Sequence, residues 1–294
     1  MPAQGHRRQV EPDWPTIHCE LKRKHVTLSI LWDEYIARDP EGYRYSRFCE
    51  LYRIWEAKLS VTMPDFAGRP VVSQTFVGQP VQDLHSHGTH CIGTSCGPQA
   101  PVGTTPRYGI GYKALIFAGK VLSNSGSSVG GSVLAGMNWA IANRCAVISL
   151  SLGSQSPVQA AYTAAGTAAL NNGCLIIAAA GNAASNTGAP ANSPTIMSVA
   201  SLDLNLNPSS FSNFGKIEIA APGRDVFSSV PRPTRYGTKS GTSMATPHVA
   251  GCAALWAETS STLRGMNLWN RLLSTAQALA FSATRVGKGL VQAP

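Results

Sequence analysis

The sequence predicts an α/β protein built on a parallel sheet with helices on both faces, preceded by a small helical segment. Three observations carry this. Beyond residue 63, short apolar, β-rich runs alternate with helical stretches of small residues, and strands that are apolar throughout belong to sheets covered on both sides. Before residue 63, the apolar residues recur at helical spacing. Charge and glycine content divide at the same point. Residues 1–63 hold 10 basic residues, 9 acidic residues and 2 glycines, whereas residues 64–294 hold 14, 6 and 26. A helical segment, 1–63, is therefore expected to be joined to a larger domain, 64–294.

In the helical segment, Leu28, Leu31, Trp32 and Tyr35 fall at i, i+3, i+4 and i+7 and form one apolar stripe. Phe48, Leu51, Tyr52 and Trp55 repeat the spacing after a turn at Asp39-Pro40-Glu41-Gly42. An earlier helical stretch, Thr16 to His25, ends in the basic cluster Leu21-Lys22-Arg23-Lys24-His25. A small bundle with a solvated charged face and a basic module contacting phosphates both fit this pattern. The near balance of charge disfavours the second, so nucleic acid is not expected as a partner. Beyond residue 63 the expected strands are Ala114–Val121, Cys145–Leu152, Cys174–Ala180, Thr195–Ala200 and Ile217–Ala221. Helices are expected near Gly131–Asn143, Val158–Asn171 and Ser243–Glu258. Chemistry in such sheets gathers in loops beyond the carboxyl ends of the strands.

Composition excludes several classes. A mean hydropathy of −0.02 and the lack of a long uncharged apolar run argue against a membrane span. The opening MPAQGHRRQVEPDW has no apolar segment behind its arginines, so no secretory signal is expected and the chain as written would stay in the cytoplasm, although a parent protease without the helical segment could have been exported. Seven cysteines without CxxC spacing argue against a disulfide framework and a zinc ribbon.

Three strings carry candidate chemistry. His87-Gly88-Thr89-His90 offers an imidazole at a helix start. With His85, Cys91 and Cys96 it also offers five potential metal ligands within twelve residues, and a structural histidine cluster is a third reading. Gly241-Thr242-Ser243-Met244-Ala245-Thr246-Pro247-His248-Val249-Ala250-Gly251 puts a serine after a glycine turn, where a helix N-terminus favours developing negative charge. An ordinary helix cap explains part of this string but not all eleven residues. Ala178-Ala179-Ala180-Gly181-Asn182 places an asparagine amide just past a buried strand, as an oxyanion donor or as a plain turn residue.

Together and in this order, the three strings closely resemble the subtilase family of serine endopeptidases. Ile148-Ser149-Leu150-Ser151-Leu152-Gly153, Gly119-Lys120-Val121-Leu122 and the closing Val286-Gly287-Lys288-Gly289-Leu290-Val291 extend the likeness over about Pro64 to Pro294. The resemblance implies a subtilisin-like fold. Ser243 would be the nucleophile, His87 the base and Asn182 the oxyanion-hole side chain, with the Ser243 N–H as second donor. Ser151, Leu152 and Gly153 would form one wall of the substrate cleft, and Gly126, Ser127 and Ser128 the edge that pairs with an extended polypeptide substrate. In this company the metal reading falls away. Cys91 fits the thiol-bearing branch of the family, and equally a small buried hydrophobe. A monomer without cofactor is expected. Calcium supports many members, but six carboxylates in 231 residues form no acidic cluster in the sequence.

The resemblance also implies a residue that is not evident. Family chains carry a strand ending in Asp-(Thr/Ser)-Gly shortly before a His-Pro-Asp-Phe-like string, which here begins at Met63-Pro64-Asp65-Phe66. Nine positions before Asp65 stands Glu56, followed by Ala57 and Lys58. Glu56 is a possible surrogate acid, Asp83 a weaker one, and the expectation is that no triad acid is present. The opening central strand is expected to be missing with it, unless Leu51–Trp55 replaces it. Residues 11–63 themselves closely resemble the linker and helical region of IstA-type insertion-sequence transposases, most specifically at Glu41-Gly42-Tyr43-Arg44-Tyr45-Ser46-Arg47-Phe48-Cys49. That family's acidic catalytic core is absent, so this resemblance implies a fragment without strand-transfer chemistry. Two alternatives to an active endopeptidase follow: an inactive protease remnant and a DNA-binding transposase fragment.

Overall fold

The apolar stripe of residues 28–35 forms a helix because nothing interrupts its period and Thr27 caps its start, the hydroxyl accepting from the Ile30 N–H at 3.4 Å. The computed structural model describes residues 10–294 except 22, 61–63, 67, 68, 102 and 233. The chain divides into two compact units, residues 1–62 and 63–294.

The first unit holds α1 (Trp14–Glu20), α2 (Leu28–Arg38) and α3 (Tyr45–Ser60). Trp14, Ile17, Leu31, Tyr35, Phe48 and Tyr52 close into one core, so both apolar stripes face inward. The Tyr35 hydroxyl donates to the Val10 carbonyl at 2.8 Å and accepts from the Tyr43 N–H at 3.0 Å. Gly42 permits this approach, since a Cβ there would stand 2.5 Å from the same hydroxyl. Two expectations are corrected. The first helix ends at Glu20, leaving Arg23, Lys24 and His25 outside it, with His25 at φ +67; Lys22 lies outside the described residues. Leu51–Trp55 is helical within α3 and supplies no strand, because its apolar residues follow a 3.6-residue period and not alternation.

The second unit opens on a 3-10 turn, Pro64–Phe66. It continues through β1 (Val71–Thr75), α4 (His87–Cys96), β2 (Ile116–Lys120), α5 (Gly130–Ala142), β3 (Val147–Leu150), α6 (Ala160–Asn171), β4 (Leu175–Ala179), β5 (Met197–Leu202) and β6 (Ile219–Pro222). A hairpin of β7 (Val226–Ser229) and β8 (Tyr236–Lys239) precedes α7 (Thr242–Thr259), α8 (Gly265–Thr275) and α9 (Ala283–Val286). The five expected strands and three expected helices form within a few residues of their anticipated ends. Sequence reading did not find β1, the hairpin, α8 or α9. β1 is mostly exposed and half polar, and the hairpin strands are four residues each, too short for a periodic signal.

β3, β4, β5 and β6 form a parallel sheet in that order. Alternation along β4 shows why its strand is apolar throughout. Leu175 and Ile177 pack with Val249 and Ala253 of α7 and Leu268 of α8. Ile176 and Ala178 pack with Met137 of α5 and Tyr162 and Ala165 of α6. β1 and β2 form a separate parallel pair. β2 and β3 are consecutive parallel strands joined by α5, yet they do not pair, and among the described residues neither has a backbone partner on its remaining edge. α5 nonetheless packs on both. Its Trp139 ring lies 5.9 Å from Phe117 of β2, and Val133, Met137 and Ala140 share a core with Ile148 and Leu150 of β3. The described residues place no strand between them. Gly119 and Ser149, mid-strand on β2 and β3, are exposed, whereas Ile116, Ile148 and Leu150 on the same strands are buried.

Candidate active site

The loops that follow β1, β2, β3 and β4 carry His87, Gly126–Ser128, Ser151–Gly153 and Asn182 respectively. All lie past the carboxyl ends of parallel strands, where side chains can project beyond the sheet without disturbing its core. Ser243 enters from the first turn of α7, after Gly241 at φ +154, a backbone conformation open to glycine.

Pro247 decides the local chemistry of that first turn. A proline has no N–H, so the carbonyl four residues earlier, that of Ser243, loses its helical partner. The Ser151 hydroxyl donates to this carbonyl at 2.7 Å and the Cys91 thiol at 3.5 Å. In return the Ser243 hydroxyl donates to the Ser151 carbonyl at 3.2 Å. Burial pushes the Cys91 thiol up to about 12, so it is protonated at neutral pH and acts as a donor, not as a nucleophile. Sequence reading missed this clamp; the signal for it was the proline four places after the serine.

Asn182 is exposed, and its orientation is fixed by Thr242. The amide oxygen accepts from the Thr242 N–H at 2.8 Å and from its hydroxyl at 2.9 Å. The hydroxyl in turn accepts from the Gly181 N–H at 3.1 Å. A backbone N–H can only donate, so the oxygen must face Thr242, and the amide NH₂ beside the start of α7 has no hydrogen-bond partner among the described residues.

His87 is the first residue of α4, and Ser86 before it takes φ +68. Asp83 shapes this turn. One carboxylate oxygen accepts from the N–H groups of His85 and Ser86 at 2.9 and 2.8 Å, the other from the N–H and hydroxyl of Thr89, both at 2.7 Å. Burial pushes the Asp83 carboxyl up, but these bonds outweigh it and hold the group below its ordinary value. The His87 ring lies edge-on to that of His85, centroids 6.3 Å apart. Burial, then the charges of His85 and Lys239, hold His87 below the ordinary histidine range, against a smaller pull from Asp83. Its neutral, proton-accepting form is thereby favoured at neutral pH.

The structure does not bring every candidate together. Among the described residues the His87 ring has no hydrogen bond to Ser243 or to any carboxylate. Glu56 falls within α3 and its side chain lies outside the described residues. The loop of Gly126, Ser127 and Ser128 is exposed and closed by a bond from the Ser123 N–H to the Ser127 carbonyl at 2.7 Å. Ser151 and Leu152 are half-buried and Gly153 exposed. The histidines and cysteines near His87 diverge. His90 is fully buried with Nε2 on the Val226 carbonyl at 2.9 Å, and Cys91 faces Ser243. Among the described residues no three acids, histidines or cysteines are grouped to hold a metal, and no helix is long and apolar enough to cross a membrane.

The subtilase family model matches residues 51–289, beginning inside α3. Subtilisin Savinase of Lederbergia lenta is 40% identical over 219 residues, 74% of this chain and 79% of that protein. The alkaline protease of Shouchella clausii is 40% identical over the same length, spanning 56% of its own chain. The crystal structure of a cold adapted subtilisin-like serine proteinase matches with a TM-score of 0.66 and 32% identity, over 79% of this chain and 83% of that one. With the family model covering most of its length and relatives at this identity, the chain belongs to the subtilase family.

Proposed function

We propose that the α/β unit is a serine endopeptidase domain of the subtilisin-like type, using a Ser243–His87 pair without a triad aspartate. An extended polypeptide lies along Gly126–Ser128 and Ser151–Gly153, held by backbone hydrogen bonds whatever its side chains. Neutral His87 takes the Ser243 proton as the oxygen adds to the peptide carbonyl. The amide NH₂ of Asn182 and the Ser243 N–H receive the developing oxyanion. His87 then gives the proton to the leaving amine, and water releases the acyl group by the same route in reverse. The observation that carries this reading is the pinned Asn182 amide beside a serine at a helix N-terminus. No carboxylate among the described residues orients His87, so turnover is expected to be slow. In subtilisin the loss of the aspartate alone lowers kcat by about 3 × 10⁴.

A second reading, an inactive remnant that keeps only the peptide cleft, draws support from the same unaccompanied histidine and from the open edges of β2 and β3. Labelling of the purified full chain by a fluorophosphonate probe, with Ser243→Ala as control, separates the two. Labelling that disappears in the variant supports the endopeptidase reading and makes Glu56→Gln the next test. Folded protein that does not label supports the remnant.

A further inference from the structure

A cavity of about 380 Å³ opens beside the candidate site, bordered by Ser86, the residue before His87, and by Lys239, four residues before Ser243. None of the residues assigned to the acyl side, Gly126–Ser128, Ser151–Gly153 or Asn182, borders it. A histidine that protonates the leaving amine fixes where the leaving segment departs, namely past its own ring. On the endopeptidase reading, on which this inference rests, the cavity is where the first side chains after the cleaved bond come to lie. Its size is at the lower end of the roughly 300–1,000 Å³ of ligand pockets, which suits one or two side chains.

Two cations and one carboxylate border the cavity. Asp83 borders it, but all four of its bonds run to its own turn and to Thr89. Lys239 and Arg232 also border it, and neither has an acidic partner among the described residues. The Nε of Arg232 is buried and has no hydrogen-bond partner among the described residues. Such a donor carries an unmet desolvation cost. Asp225 is exposed, bonded to Ser240, and does not border the cavity. Val230 and Pro231 add an apolar wall for the stem of a longer side chain. We infer that this cavity is a carboxylate subsite, selecting polypeptides with Asp or Glu among the first residues after the cleaved bond through Lys239 and Arg232.

The test uses binding, so it does not depend on turnover. Two fluorescein-labelled, alanine-rich decapeptides, one with three Glu in its C-terminal half and one with the same Glu in its N-terminal half, are titrated onto full-length Ser243→Ala. A third peptide carries three Lys in the C-terminal half. The C-terminal Glu peptide is expected to bind about fivefold more tightly than either of the others, with the difference shrinking at high salt. Lys239→Met and Arg232→Gln should each reduce this preference, and Lys239→Glu should favour the Lys peptide. Equal binding of the two Glu peptides, or a preference unchanged by all three substitutions, overturns the inference. Absence of binding by any peptide overturns it too. In that case fluorophosphonate labelling of the unsubstituted chain tells whether the endopeptidase reading falls with it: labelling keeps that reading, and no labelling removes both.

Discussion

The Ser243 carbonyl, freed by Pro247, is held by two side chains from separate segments, and this ties the Ser243 turn to the loop after β3 and to α4. Removing the better donor should therefore affect both stability and reactivity. Ser151→Ala is expected to lower the unfolding free energy by about 1 kcal/mol, the typical net value of one hydrogen bond, and to slow fluorophosphonate labelling. Urea melts and labelling rates check this, and unchanged values for both would remove the clamp from the account. The protonation of His87 gives a second test at this scale. Its folded value is depressed, first by burial and then by His85 and Lys239, so the base form survives acidification further than in an ordinary histidine. The acid limb of labelling should lie below the usual histidine midpoint of 6.5. Lys239→Met removes a repelling charge and should move that limb upward; a limb that stays put or falls would contradict the electrostatic assignment.

Between elements, α4 and the β7–β8 hairpin meet at a tight seam. His90 bonds the Val226 carbonyl, and the hydroxyls of Ser228 and Ser229 donate to the carbonyls of His90 and Thr89. A methyl group on Gly93 would overlap both serine hydroxyls, so Gly93→Ala should destabilise by about 1–3 kcal/mol, the usual cost of overpacking, despite alanine's better helix propensity. Burial, with smaller effects of neighbouring groups, lowers His90 from 6.5 to about 4. The unfolded chain therefore takes up this proton first as pH falls. The stability His90 contributes is complete above pH 6.5 and is lost down to about pH 4, amounting to at most about 3 kcal/mol. Burial also lowers His248 and adds in the same direction. Thermal midpoints across that pH range measure the loss, and a flat profile would count against it.

At the scale of the molecule, the edges of β2 and β3 that lack a partner among the described residues are expected to limit the stability. β4 and β5 are buried along their whole length, whereas Ser149 in β3 and Gly119 in β2 are exposed. Hydrogen exchange should follow this division, with β4 and β5 amides protected to the global limit and part of β2 and β3 exchanging through local opening. Uniform protection across all strands would mean that the edges are covered. A solvated edge costs less than a buried unpaired one, about 1–3 kcal/mol for each buried group. Yet it yields no ladder bonds. A low urea midpoint is therefore expected, against the roughly 5–15 kcal/mol of a typical domain. Cooperative unfolding at a midpoint ordinary for a domain of this size would oppose this view.

The sequence by itself determined the central strands, the helices on either face and the family. Continuous apolar runs admit only a doubly covered sheet, and the strings around His87, Asn182 and Ser243 are long enough to be specific. A fixed count back from Asp65 reaches Glu56 in a helical segment, which is why the sequence raises the expectation that the triad acid is missing. Only the tertiary structure decided how these parts work together. The partners of the Ser243 carbonyl come from residues 91 and 151, and Asn182 is pinned by residue 242. The cavity of Arg232 and Lys239 closes against residues 83–86. Such contacts join positions tens to more than a hundred residues apart, and a local pattern holds no information about which distant hydroxyl or cation the fold will place there. The open edges of β2 and β3 belong to the same class: a strand's apolar pattern states that it will pair, and the rest of the molecule decides whether a partner is present.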